Sequence, residues 1–203
     1  MRATPHADDA YEAIEPQEFP YPLRYKLFTG SVVPRPIAFV TTRHTDGHIN
    51  AAPFSQFIII AVEPGLLGFS VGPSQRGEKD TLANVRKHPE FVINCVSEPL
   101  AEQVQICSED FPPQVSEVNE TGLHLLSSER IAVPRIAESP IQFECKLHSI
   151  TPFGASHLVV GSVVLMHAVK GLVTDCRVDL QAYAPLGRIA GRNYCKIRDV
   201  IAV

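Results

Sequence analysis

The stretch GPSQRGEKDT, residues 72–81, sets two cations, Arg76 and Lys79, and the hydroxyls of Ser74 and Thr81 around the expected start of a helix. A helix N-terminus presents unpaired N–H groups and about half a positive charge, so such a grouping suits a phosphate. A phosphomonoester would meet cations, a hydroxyl and amides together, and charge-assisted hydrogen bonds are roughly twice as strong as neutral ones. The competing reading is a plain helix start, with Asp80 or Thr81 as cap and both cations solvated. A second segment, INAAPFSQF (residues 49–57), offers Asn50, Ser55 and Gln56 as hydrogen-bonding groups, with the small Ala51 and Ala52 letting backbone approach a flat ring. It equally suits a strand that turns at Pro53.

Other groupings carry less. GFSVG (residues 68–72) matches the G-x-S-x-G nucleophile elbow, but Gly72-Pro73 follows where that elbow needs a helix. His44 and His48 have the spacing of helical metal ligands, yet Asp46-Gly47 lies between them and reads as a hairpin turn, so no metal is expected. A G-x-G-x-x-G fingerprint is absent, which removes the usual sequence evidence for a Rossmann fold.

The elements that must position these residues are mostly short strands. PIAFVTT and HINAAPF flank the Asp46-Gly47 turn, and FIIIA, LLGFSV and FVINCV are apolar runs too short to favour helices, read as buried strands. IQFECKLHSITPF and SHLVVGSVVLMHAV form an expected second hairpin about Gly154. Two helices stand out: DTLANVRK, stopped by Pro89, and SEPLAEQVQIC, with Ser97 as expected cap. Residues 110–139 read as loop-rich, with FPP at one end and SP at the other. Strands outnumber helices without βαβ alternation, so a closed or partly closed antiparallel barrel is expected.

The 203 residues fit one domain, 45% hydrophobic and 20% charged, with a formal net charge of −4 that argues against nucleic acid as main partner. Five scattered cysteines without a CxxC pair read as reduced thiols, and no apolar run approaches the roughly 20 residues of a membrane helix. No membrane association and a cytoplasmic location are the expectation.

SVVPRPIAFVTT (residues 31–42), INAAPFSQF, the Arg76 and Lys79-Asp80-Thr81 loop, and FVINCVSE together resemble, in order and spacing, the flavin reductase-like family of FMN-binding split barrels. The likeness continues through RIAESPIQFECKL, SHLVVGSVV and PLGRIAGRNYC, covering residues 28–200 and leaving 1–27 as an N-terminal extension. It implies a mainly β, Greek-key split β-barrel with a few flanking short helices, a homodimer, and FMN near the dimer interface. By carry-over Arg76, Lys79 and Thr81 would hold the phosphate, with Asp80 positioning the helix start. Asn50, Ala51, Ala52 and Ser55 would line the ribityl chain and ring edge, and Phe57 would shape the pocket wall. Arg35, Pro36 and Ile37 would bring backbone to the other edge, and Arg188 would touch flavin or the partner subunit.

His157 resembles a family position beside the nicotinamide side of the flavin, although Ser156 and Ser162 stand where the family usually has Asp and Glu. The implied activity is an FMN-dependent oxidoreductase, an NAD(P)H:flavin reductase passing reduced flavin to free flavin or an oxygenase partner. Two alternatives stay open: an FMN-binding electron carrier or flavoenzyme acting without NAD(P)H, and a non-catalytic flavin-binding module.

Overall fold

In this computed structural model the described residues are 11–74, 77–112 and 115–202. They are mainly β. Strands β1 (Ala38–Arg43), β2 (Ile49–Phe54), β3 (Phe57–Ala61), β4 (Leu66–Val71) and β5 (Glu90–Cys95) are followed by a short pair, β6 (Leu125–Leu126) and β7 (Arg135–Ile136). Then come two long strands, β8 (Ile141–Phe153) and β9 (Ser156–Ala168), and two further short pairs, β10 (Val173–Thr174) with β11 (Arg177–Val178) and β12 (Leu186–Arg188) with β13 (Tyr194–Lys196). The helices are α1 (Tyr21–Ser31), α2 (Asp80–Lys87), α3 (Ala101–Ile106), α4 (Glu117–Thr121) and α5 (Leu180–Tyr183).

Seven strands form one antiparallel sheet in the order β2-β1-β5-β8-β9-β4-β3, curled into a half-barrel. The apolar run of residues 37–40, which leads into β1, follows from burial on both faces. Ala38 and Val40 belong to one core cluster, with Phe54, Phe69, Phe91 and, from α2, Leu82 and Val85. Ile37 and Phe39 belong to a second, with Ala51 and, from α3 and α4, Val104 and Val118. Alternate side chains of a strand point to opposite faces, so one strand feeds both clusters. Phe69 anchors the first, stacked obliquely on Phe54 at 5.0 Å and edge-on to Phe91 at 5.5 Å. Gly161 of β9 is required there: a Cβ at that position would lie 2.4 Å from Cζ of Phe91.

Both expected hairpins form, the first through Gly47 at φ +96° and the second through Gly154 at φ +59°. α2 ends at His88, as Pro89 dictates, but its N-cap is Lys79 and no side chain caps it, so neither Asp80 nor Thr81 has the expected capping role. Ser97 makes no capping hydrogen bond either, and a 3-10 turn at Glu98–Leu100 precedes α3. FIIIA is a strand but not a buried one. As β3 it closes the order of the sheet, and Ile58 and Ile59 are 58% and 64% exposed. Apolar content alone does not separate a central strand from an edge strand.

α1 was not expected from the sequence, and a boundary at Phe28 falls inside it. Among the described residues no helix is long and apolar enough to cross a membrane. All five cysteines are free thiols, and burial pushes Cys107 and Cys145 up to about 12, which makes them unreactive packing residues.

One buried carboxylate ties the loop before β7 to the sheet. Glu144 of β8, fully buried, accepts the N–H groups of Glu129 (2.8 Å) and Arg130 (2.7 Å) and pairs with Nε2 of His167 at 2.6 Å. Burial alone would push its carboxyl up, but these three bonds outweigh burial and hold it below its ordinary value.

Candidate functional site

Two cavities meet beside the N-terminus of α2. The larger, about 740 Å³, is walled by Tyr21, Arg24, Tyr25 and Phe28 of α1, by Ser55 and Gln56 between β2 and β3, and by Arg188 of β12. The smaller, about 140 Å³, is lined by Asn50 and Ala52 of β2, Thr81 of α2 and Glu117 of α4. Pro53, Phe54, Lys79 and Ser108 border both.

α2 is held by Leu82 and Val85, which are buried in the first core cluster. Its first turn therefore has a fixed position, and while Leu82 and Ala83 return their N–H groups to the carbonyl of Lys79, no described side chain caps the N–H groups of Asp80 and Thr81, which stay open. The Lys79 ammonium makes no hydrogen bond or ion pair with a described residue. Open amides, the positive end of a helix and an unpaired cation thus share one edge where the cavities join.

The two cavities differ in charge. The larger presents Arg24, Arg35, Lys79 and Arg188 and, among its described lining residues, no carboxylate. The smaller gathers Glu78, Asp80, Glu109, Asp110 and Glu117 around the same lysine. An anion at Lys79 is therefore favoured on the side of the larger cavity.

Inside the smaller cavity Glu117 is nine-tenths buried and accepts the Ala51 N–H at 3.0 Å. With the Asn50 amide oriented so that both its ends are satisfied, its nitrogen donates to Glu117 Oε1 at 3.3 Å and its oxygen accepts from Thr81 Oγ1 at 3.1 Å. Burial pushes the Glu117 carboxyl above its usual range, the Ala51 N–H opposes this, and the nearby Asp80 charge adds to it. Thr81 is almost fully buried, so its hydroxyl serves this network that ties β2, α2 and α4 together.

Arg35 organises the opposite wall. Its guanidinium donates to the carbonyls of Thr29, Val32 (2.8 Å) and Ile189 (2.6 Å), and its Nε to Ser55 Oγ at 3.3 Å. Its backbone N–H and C=O are both taken by Arg188. Burial lowers the pKa of Arg35, Tyr25 counters this, and Arg188 adds to the lowering. Arg188 in turn lies over the ring of Tyr194 at 4.6 Å and bonds its hydroxyl.

Of the residues expected at the site, Arg35, Ile37, Ser55, Lys79 and Arg188 line the larger cavity, and Asn50, Ala52, Lys79, Asp80 and Thr81 the smaller. Ala51 is buried in the second core cluster and reaches the site through its N–H to Glu117. Pro36 is exposed and lines neither cavity, and Phe57, half-buried, packs on the first core cluster. His157, paired with Val71, also lines neither, although its neighbour Ser156 lines the larger. Arg76 lies outside the described residues.

Sequence reasoning missed α1 and Glu117. Tyr21, Tyr25 and Phe28 recur at helical spacing, a signal that was available. Glu117 had none, because its role arises only when α4 packs beside β2.

The flavin reductase like domain family matches residues 29–187. An uncharacterized protein of Halalkalibacterium halodurans is 40% identical over 186 residues, 88% of this chain and 89% of its own length. Nitrilotriacetate monooxygenase component B from Bacillus cereus superposes with a TM-score of 0.92 at 34% identity, covering 95% of this chain and 98% of that one. The 2-nitrobenzoate 2-nitroreductase from Pseudomonas fluorescens superposes with a TM-score of 0.87 at 37% identity, covering 95% of each chain. With its curled antiparallel sheet, its full-length structural likeness and a family match over most of its length, this chain belongs to the flavin reductase-like domain family and has its split-barrel fold.

Proposed function

We propose that the protein is an FMN-dependent oxidoreductase of the flavin reductase type, which takes a hydride from NAD(P)H and delivers reduced flavin to free flavin or to a partner oxygenase. The observation that carries this reading is the junction at Lys79, the N-cap of α2, whose unpaired ammonium borders a cationic cavity of about 740 Å³ while the start of α2 itself, Asp80 and Thr81, lines the adjoining smaller cavity. That volume lies within the range of cofactor sites. The donor set fits a phosphomonoester with about −1.5 to −2 charges. Lys79 and the first-turn amides of α2 would hold this phosphate, with Arg76 as a further candidate.

Bound flavin would supply the hydride-accepting centre that the polypeptide itself lacks. The chain's own work is binding and orientation. Ser55 and Gln56 offer hydrogen-bonding groups on the turn after β2, and Pro53 and Phe54 shape the floor shared by both cavities. The network of Glu117, Asn50 and Thr81 holds β2 against α2, so that floor keeps its shape. Tyr21, Tyr25 and Phe28 face the larger cavity as an aromatic wall suited to a second planar ring, with Arg24 beside them for an anionic group. His157, next to the cavity-lining Ser156, remains a candidate for influencing turnover from the rim.

Several relationships support this assignment from outside the site. Nitrilotriacetate monooxygenase component B is by its name part of an oxygenase system, which favours an oxygenase partner. The exposed Ile58, Ile59 and Ile60 of edge strand β3 favour a homodimer. Likeness to a nitroreductase supports a second reading, direct reduction of a small substrate in the same cavity. Anaerobic mixing of the purified protein and FMN with NADH or NADPH tests the first. Bleaching of flavin absorbance by either nucleotide is expected, and no bleaching with both would turn the assignment to a flavoenzyme with another electron donor.

A further inference from the structure

The tip of the β1–β2 hairpin gathers metal-ligating groups outside both cavities. The Asp46-Gly47 turn is closed by Gly47 N–H to the His44 carbonyl (3.0 Å) and His44 N–H to the His48 carbonyl (2.9 Å). His44 and His48 therefore sit opposite each other on one face, as a cross-strand pair. Their rings stack with centroids 4.4 Å apart and planes 20° apart. Both present Nδ1 to one carboxylate oxygen, Asp46 Oδ1, at 3.4 Å from His44 and 2.5 Å from His48. The turn that removes helical geometry thus restores the approach of the two histidines by another route.

A hydrogen-bonded turn accounts for only part of this. Asp46 Oδ1 accepts the His48 N–H at 3.2 Å and bonds its ring, which explains the pose of His48. It does not explain His44, whose Nδ1 is buried and makes no hydrogen bond. One ligand atom from each residue lies within 4.8 Å of the other two. Zinc takes imidazole nitrogen and carboxylate oxygen at about 2.0–2.2 Å, which in a tetrahedral set places neighbouring ligand atoms about 3.3–3.5 Å apart. The His44–Asp46 distance already matches; because a metal–imidazole bond lies in the ring plane, the two stacked rings must turn about their Cβ–Cγ bonds to converge on one ion, and the Asp46 side chain, 60% exposed, has room to swing away from His48.

We propose that His44, Asp46 and His48 form a binding site for a divalent transition-metal cation of the zinc class, clamping the tip of the β1–β2 hairpin. Two imidazoles and one carboxylate suit zinc and its neighbours over calcium or magnesium, which prefer all-oxygen sets. The fourth position is left to water. The cation would hold together the two strand ends from which β2 runs on to Asn50, two residues beyond His48.

Isothermal titration of the flavin-free, full-length protein with zinc chloride tests this. One saturable site per chain is expected, weakened at least about tenfold by His44→Ala, by His48→Ala and by Asp46→Asn, the last of which keeps a turn-forming Asn-Gly pair. A second readout needs no variant: zinc should shift the ring resonances of His44 and His48 and leave those of His124 and His157 unmoved. Absence of saturable binding up to millimolar zinc, equal binding by the His44→Ala/His48→Ala protein, or shifts confined to other histidines would overturn the proposal.

Discussion

Arg35 and Arg188 exchange two backbone hydrogen bonds, at 3.0 and 2.9 Å, and so close the larger cavity between the segment after α1 and strand β12. The Arg35 side chain then spreads over three carbonyls and Ser55. A lysine has no planar fork to reproduce this pattern. Arg35→Lys is expected to lower unfolding stability by about 1.5–3 kcal/mol for each charge-assisted bond lost without replacement, measured by urea denaturation. An unchanged midpoint would mean that the guanidinium does not fasten α1 to the barrel.

Glu117 should make stability fall as pH rises. Its folded pKa is raised above the ordinary value of 4.5, first by burial, so the folded state holds a proton that the unfolded chain releases. Its contribution is fully present below that ordinary value and is lost as pH climbs through the folded pKa. Glu117→Gln, which keeps an acceptor for the Ala51 N–H, should remove this component. Thermal melts of both proteins across the acid-to-neutral range check it; parallel curves would count against a raised Glu117 pKa.

Glu144 should act with the opposite sign. Its folded pKa is lowered, so its contribution is complete above the ordinary carboxylate value and disappears as pH falls through the folded one. Glu144→Ala leaves the Glu129 and Arg130 amides without their acceptor, at a cost of about 1–3 kcal/mol for each that stays buried and unpaired. The difference between wild type and variant in denaturant midpoint should shrink toward acid pH. A difference that does not vary with pH would point to packing instead of charge.

The edge strand β3 yields a prediction about assembly. Ile59 is 64% exposed on an apolar strand that, among the described residues, pairs on one side only. Ile59→Lys should shift the proposed homodimer to monomer in light scattering after gel filtration, with little change in the circular dichroism of the sheet. A variant with the same scattering mass as the wild type would count against β3 as the proposed interface.

How much of this was legible in the sequence depended on whether the signal was local. Asp46-Gly47 and Gly154 marked both hairpins because a tight turn needs positive φ at one residue. Pro89 marked the end of α2 for an equally local reason. The exposure of β3 was hidden, because the order of strands in a sheet is not written in any one strand. α1 buries only Thr29, so its sequence carries no apolar stripe facing the core, and its aromatic residues line a cavity instead. For the site, the loop before α2 was proposed from its chemistry, whereas the pairing of Thr81 with Asn50 and the acidic character of the smaller cavity required the packing of α4.

The most direct test concerns Lys79 and the phosphate it is proposed to hold. Fluorescence titrations of wild type and Lys79→Ala with FMN and with riboflavin, which lacks the phosphate, separate recognition of the tail from recognition of the ring. Loss of one charge-assisted contact, about 1.5–3 kcal/mol, should weaken FMN about tenfold to a hundredfold and leave riboflavin nearly unchanged. Equal losses for both ligands, or none for FMN, would contradict the placement of the flavin phosphate at the start of α2.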